Sequence, residues 1–219
     1  MTTAILGGTF DPFHRGHLAM AEAAVRKLHP DSLWILPSGN PPYREEHSVT
    51  EGAIRLKMAQ DAIAEEPDET VRARLSVCPD EVLRAGKTYT ADTLAVFHRR
   101  DPKRRFILVC GADSLMTMHR WVGIASVCAL ADIACFCRPG ETAETACCKE
   151  AERLRAAAGA RVTFLTAAIP EISSREIRRK CRSGEDISDL VPPAVLRDIE
   201  TFALYRGEGS RTGQTLPQN

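Results

Sequence analysis

The stretch Gly7-Gly8-Thr9-Phe10-Asp11-Pro12-Phe13-His14-Arg15-Gly16-His17 stands between a short apolar run, Thr3 to Leu6, and a segment, Gly16 to Leu28, with apolar residues at helical spacing (Leu18, Ala21, Ala24, Val25, Leu28). It reads as strand, loop, helix. Gly7 and Gly8 lack Cβ atoms, so the backbone after the strand can turn sharply and approach a ligand closely. A helix opening near Gly16 presents unpaired N–H groups and a partial positive charge toward the same place, which favours an anion, a phosphate above all. His14 and His17 are three apart, so both rings can point to one side and donate hydrogen bonds to phosphate oxygens. The pair is harder to explain as structure alone, because a buried turn gains nothing from imidazoles. Neither GxGxxG nor GxxxxGK[ST] is matched, which counts against ordinary dinucleotide binding and P-loop chemistry.

Working outward, the alternation recurs. Leu33 to Leu36, Arg74 to Cys78, Phe106 to Cys110, Ile133 to Cys137 and Val162 to Leu165 read as strands. Between and after them, Glu51 to Ala64, Ala91 to Arg99, Thr142 to Ala158, Ser174 to Arg182 and Pro193 to Phe202 read as helices. Such alternation predicts an α/β domain, doubly wound, with a mostly parallel sheet, both faces covered and a helical C-terminal portion. Ligands then sit at the carboxyl ends of the strands. Residues 1–206 are expected to form this domain. The segment Gly207 to Asn219, rich in Gly, Thr, Gln and Ser, is expected to be a disordered tail.

Composition narrows the partners. Lys plus Arg equals Asp plus Glu, 29 against 29, so no global positive field is available to hold a polynucleotide, while small anionic ligands need only local charge. No apolar run reaches the roughly 18 residues of a membrane span, and the first residues read as a strand, lacking the regions of a signal peptide. The cytoplasm is the expected compartment. Five of the eight cysteines, Cys128, Cys135, Cys137, Cys147 and Cys148, fall in one stretch without a CxxC pair or a nearby histidine. They read as buried or idle thiols and not as a metal site.

The first stretch resembles the GxFDPxHxGH signature of the HxGH adenylyltransferase superfamily. Within it, the chain as far as about Tyr205 resembles the bacterial nicotinate-nucleotide adenylyltransferases, which implies a Rossmann-like nucleotidyltransferase fold. By that resemblance Gly7, Gly8, Thr9 and Phe10 belong to the ATP site, and His14 and His17 contact the ATP phosphates and stabilise the transition state. Ile172-Ser173-Ser174-Arg175-Glu176-Ile177-Arg178 opens a helix and reads structurally as a capping box, Ser173 with Glu176. It also resembles the family's ISSTxIR motif, which implies ATP-phosphate contacts from Ser173, Ser174 and Arg178; Arg175 stands where the family has threonine. Gly111-Ala112-Asp113 follows a strand, with Asp113 as a possible helix N-cap. In the family this loop lies beside the adenosine of ATP. Trp121, otherwise a packing residue, matches the tryptophan that stacks on the nicotinate ring. Thr90 lies in Tyr89-Thr90-Ala91-Asp92-Thr93-Leu94, which resembles the family's YTxDTL, where the first threonine helps bind the pyridine carboxylate; structurally it reads as a helix cap. Pro41-Pro42-Tyr43-Arg44 resembles the PPH[KR] loop, with Tyr43 in place of histidine and Arg44 as the basic residue for the mononucleotide phosphate.

The implied reaction joins nicotinate mononucleotide to the AMP part of ATP and releases pyrophosphate. Cationic and hydrogen-bonding groups, His14, His17 and Arg178, would serve it, with Mg²⁺ carried by ATP and no dedicated metal site in the protein. Alternative acceptors are nicotinamide mononucleotide and 4′-phosphopantetheine; a third alternative is a non-catalytic nucleotide-binding regulator. Length, His14, Trp121 and the YTxDTL match favour a nucleotide acceptor over 4′-phosphopantetheine, whereas nicotinamide mononucleotide differs from the nicotinate compound only by amide against carboxylate. Oligomeric state is not legible.

Overall fold

The computed structural model describes residues 1–40, 49–137 and 141–206. Arg44, Tyr43 and the tail 207–219 lie outside the described residues. The first strand, β1 (Thr2–Gly8), pairs in parallel with β2 (Ser32–Pro37) on one side and β4 (Arg105–Gly111) on the other. β3 (Leu75–Val77) extends the sheet beyond β2, and β5 (Ala131–Phe136) and β6 (Val162–Leu165) extend it beyond β4. All these pairings are parallel, and the order is β3-β2-β1-β4-β5-β6. Strand order reverses between β1 and β4, where a doubly wound sheet leaves its crevice.

Alternating side chains feed two cores, because successive strand residues point to opposite faces. Ala4, Leu6, Leu33 and Ile35 face one cluster, shared with α1 (Arg15–Leu28), α2 (Gly52–Ala64), α8 (Ser174–Ser183) and α9 (Pro193–Thr201). Ile5, Leu36, Phe106, Leu108 and Ile133 face the other, covered by α4 (Thr90–Arg100), α5 (Ala112–Met118), α6 (Ile124–Leu130) and α7 (Glu141–Ala158). Burial on both faces explains why these strands read as near-continuous apolar runs. Cys128, Cys135 and Cys147 are buried in the second layer as free thiols, where desolvation pushes Cys147 up to about 12. Cys148 is exposed.

Two helices, α3 (Glu69–Arg72) and α6, escape the sequence reading, and of α5 only its start is legible, in the cap expected at Asp113. Each is at most two turns long, so a period of 3.6 has little length in which to show. Gly123, left-handed at φ 71°, caps the start of α6 and breaks whatever pattern α5 begins. The C-terminal portion docks on α2: Glu65, just past that helix, accepts from the Ala194 N–H at 2.9 Å and pairs with Arg197, while Lys57 lies 3.2 Å from Asp198. α8 meets the β1–α1 loop through bonds of its own, from Ser174 and Arg178. Among the described residues no helix is long and apolar enough to cross a membrane.

Candidate active site

At the carboxyl edge of the sheet, β1 ends in two glycines with different tasks. A Cβ on Gly8 would stand 2.7 Å from the Phe10 ring, so the loop can fold back only over a bare backbone. A Cβ on Gly7, or on Gly111 at the end of neighbouring β4, would meet nothing within 4 Å. Gly7 and Gly111 therefore leave a side-chain-free floor beside the point where strand order reverses. Phe10 itself is left-handed at φ 52° and 2% exposed. That conformation is disfavoured for a bulky residue and is held by packing on Phe13 and His17, with ring centroids 5.3 and 4.8 Å away.

His14 is the N-cap of α1, and the two histidines cap reciprocally. The His17 N–H donates to His14 Nδ1 at 3.4 Å, and the His14 N–H donates to His17 Nδ1 at 3.3 Å. The turn does gain something from imidazoles, contrary to the expectation from sequence: the His14 N–H finds an acceptor in the His17 ring, and the His17 N–H, which also donates to the His14 carbonyl at 2.9 Å, gains a second one. The same bonds fix the tautomer. Each Nδ1 must offer a lone pair, so a neutral ring carries its proton on Nε2. The rings stack with centroids 3.5 Å apart and planes 18° from parallel. Burial lowers His14 to about 4; burial, and then the charge of neighbouring His14, hold His17 well below the ordinary histidine value. At neutral pH the pair therefore presents two uncharged Nε2–H donors, and Arg178 brings a guanidinium charge to the same loop.

Acid should expose that arrangement. The unfolded chain protonates His14 near 6.5 and the folded chain only near 4, so stability is full above 6.5 and declines as pH falls between those values. Replacing His14 by Asn keeps an acceptor at the δ position and removes the titration. Urea unfolding at pH 7 and pH 5 should show that H14N loses about 2 kcal/mol less stability between the two than the parent protein. Equal losses would contradict the neutral-ring assignment.

The helix α8 meets the loop from the other side. Ser174 Oγ donates to the Pro12 carbonyl at 3.0 Å. Arg178 Nη1 donates to the Asp11 carbonyl at 2.6 Å and lies 3.9 Å from Asp11 Oδ2. Asp11, 1% exposed, also accepts from Tyr205 Oη at 2.7 Å and from the Thr50 N–H at 3.4 Å. Ser173 is the N-cap of α8 by backbone alone. Its hydroxyl makes no capping bond and Glu176 instead pairs with Arg179, so the capping box does not form. An exposed Ser173 hydroxyl beside an α-helix start is free to serve an anion.

Two other structural readings change. Asp113 is the second residue of α5, exposed, with Gly111 as the cap. Thr90 is the first residue of α4, capped by Tyr89. A Cβ on Gly123 would stand 2.8 Å from Ala91 Cβ, so the bend that follows Trp121 seats on the start of α4. Trp121, two residues before Gly123, is half-buried against the second core layer. The structure gathers His14, His17, Ser174 and Arg178 around the loop before α1, and it places Thr90 at the start of α4. Arg44 lies outside the described residues.

Arg55 and Tyr205 were not anticipated. Arg55 is 2% exposed on α2, among Ile54, Met58, Ala59 and Ala62. An arginine on the buried stripe of a helix was the available signal. Tyr205 had none, because its partner Asp11 is 194 residues away.

A family model described as cytidylyltransferase-like matches residues 5–180. A protein of Clostridium tetani (strain Massachusetts / E88) named "Probable nicotinate-nucleotide adenylyltransferase" is 36% identical over 93% of this chain and 98% of its own length. One of the same name from Neisseria meningitidis serogroup B is 34% identical over 92% of this chain and 96% of its own. Among solved structures, the Plasmodium falciparum nicotinic acid mononucleotide adenylyltransferase complexed with NaAD superposes with a TM-score of 0.76 at 18% identity, covering 93% of this chain and 97% of that one. At that identity the likeness concerns the fold.

Proposed function

The chain belongs to the cytidylyltransferase-like family and, within it, to the nicotinate-nucleotide adenylyltransferases, and from that premise we propose that it transfers the adenylyl group of ATP to nicotinate mononucleotide. The products are nicotinate adenine dinucleotide, an intermediate of NAD biosynthesis, and pyrophosphate. The observation that carries the reading is the set of three donors on one loop and one helix: two Nε2–H groups locked by reciprocal caps, and the Arg178 guanidinium held against the same loop.

The acceptor's 5′-phosphate is ionised at neutral pH and needs no general base. One of its oxygens forms a bond to the α-phosphorus of ATP while the bond from that phosphorus to the bridging oxygen breaks, the electron pair leaving with pyrophosphate. Catalysis then consists of aligning two polyanions and offsetting their charge. Neutral imidazole donors suit the first task. They offer directed hydrogen bonds that strengthen as charge develops on phosphate oxygens, without needing a proton from solution. Arg178 supplies fixed charge. Gly7, Gly8, Thr9 and Phe10, with Gly111, Asp113, Ser173 and Ser174, form the ATP side; Thr90, Trp121 and Arg44 form the acceptor side. Mg²⁺ enters as part of the ATP substrate. Residues 1–206 act as one catalytic domain, and we place the reaction in the cytoplasm.

The test is pyrophosphate release with ATP, Mg²⁺ and each of nicotinate mononucleotide, nicotinamide mononucleotide and 4′-phosphopantetheine. The highest kcat/KM is expected for the nicotinate compound. Binding of ATP with no pyrophosphate from any acceptor would revive the non-catalytic alternative, and a preference for either other acceptor would reassign the substrate.

A further inference from the structure

Among the described residues Arg55 is the largest fully buried side chain, and three of its nitrogens donate to backbone carbonyls. Nε donates to the Thr50 carbonyl at 2.8 Å, Nη1 to the Thr9 carbonyl at 2.7 Å and Nη2 to the Gly39 carbonyl at 3.2 Å. Those carbonyls belong to three segments. Thr9 precedes Phe10 in the loop that carries the histidines. Gly39 lies just beyond β2, in the run that leads toward Arg44. Thr50 precedes α2, and its N–H returns to Asp11 at 3.4 Å. Burying a guanidinium is costly unless its donors are all used, so a helix needing only packing here would carry an apolar residue.

The Gly39 segment is itself seated on the acceptor side. A Cβ at Gly39 would fall 2.0 Å from the Glu81 carbonyl oxygen, and the Thr88 N–H donates to the Asn40 carbonyl at 3.2 Å, one residue before Tyr89-Thr90. The planar fork of Arg55 thus bridges the loop of the ATP phosphates and the segment of the acceptor. Each side also has bonds of its own that do not pass through Arg55: the His14–His17 caps and Phe10 packing on one, the Thr88–Asn40 bond on the other.

We propose that Arg55 is a positioning residue that sets the distance between the acceptor phosphate and the α-phosphorus of ATP without touching either substrate. The inference rests on the adenylyl-transfer reading above. Loss of the fork leaves each substrate's own contacts in place and loosens their relative placement, and a misplacement of about 1 Å costs about 100-fold in rate. A lysine cannot replace the fork, because a single ammonium cannot reach three carbonyls from one point.

The experiment compares parent, R55K and R55A proteins, measuring kcat, separate KM values for ATP and nicotinate mononucleotide, and the folded fraction by thermal unfolding. R55K should lose about 100-fold in kcat per folded molecule, with either KM moving less than about 5-fold. In R55A, guanidinium ion at millimolar concentration should restore part of the turnover, and methylammonium should not. A kcat loss that merely tracks the unfolded fraction, an R55K kcat within a few-fold of the parent, or a rise in one KM with kcat intact would each overturn the proposal. A parent protein inactive with every acceptor would overturn the functional reading and this inference together; an active parent with an unaffected R55K overturns this one alone.

Discussion

His17→Ala should lower turnover at least about 100-fold, a loss of about 3 kcal/mol in barrier stabilisation, with the fold retained. Two losses are combined in that variant. The Nε2–H proposed as a donor to the phosphates disappears, and so does the Nδ1 that accepts from the His14 N–H at 3.3 Å. Removing a cap acceptor costs about 1 kcal/mol of stability, and removing an oriented donor raises the barrier. Amides separate them. Asn places its oxygen at the δ position and has no donor at the ε position, whereas Gln does the reverse. Turnover should therefore survive better in H17Q than in H17N, while urea stability should rank them the other way. If H17N retains near-parental turnover in a folded protein, the Nε2–H donor role is wrong.

Arg178→Met should be more damaging still, lowering kcat/KM by about 1,000-fold, because it removes the fixed positive charge among donors that are otherwise neutral. Its cost in stability is smaller than its cost in catalysis. Asp11 would lose the guanidinium donor to its carbonyl but keep Tyr205 Oη at 2.7 Å and the Thr50 N–H at 3.4 Å, so stability should fall by about 1–2 kcal/mol. Arg178→Lys keeps the charge and loses the fork. It should recover part of the rate, and the gap between Lys and Met measures charge as distinct from geometry. The measurement is steady-state pyrophosphate release beside the thermal midpoint of each variant. A Met variant within 10-fold of the parent would show that the histidines and substrate-borne Mg²⁺ suffice.

Much of the architecture is written locally. Alternating apolar runs and helical spacings identify each strand of the sheet because a buried parallel strand must be apolar on both faces. The carboxyl-edge location of Gly7, Gly111, Thr90 and Ser173 follows from strand-to-helix order alone. Short helices are the exception, since α5 and α6 hold too few turns for a period to emerge, and a capping residue cannot be told from its neighbour without backbone angles. Asp113 and Thr90 were each displaced by one or two positions for that reason.

By itself the sequence determined the α/β layering, the glycine loop before α1, and the residue types that mark this family, because those depend on near-neighbour spacing. Only the tertiary structure decided the electrical state of the site. His14 and His17 are neutral Nε2–H donors because burial disfavours their charged forms, with Phe10 and Phe13 packed on the His17 ring and His14 stacked against it, and because two backbone N–H groups donate to their Nδ1 atoms. It also decided which distant residues hold the loop: Arg55, Arg178 and Tyr205 reach Thr9 and Asp11 across 46, 167 and 194 residues. Desolvation and long-range hydrogen bonding are properties of packed surroundings, and no local pattern in the chain encodes them.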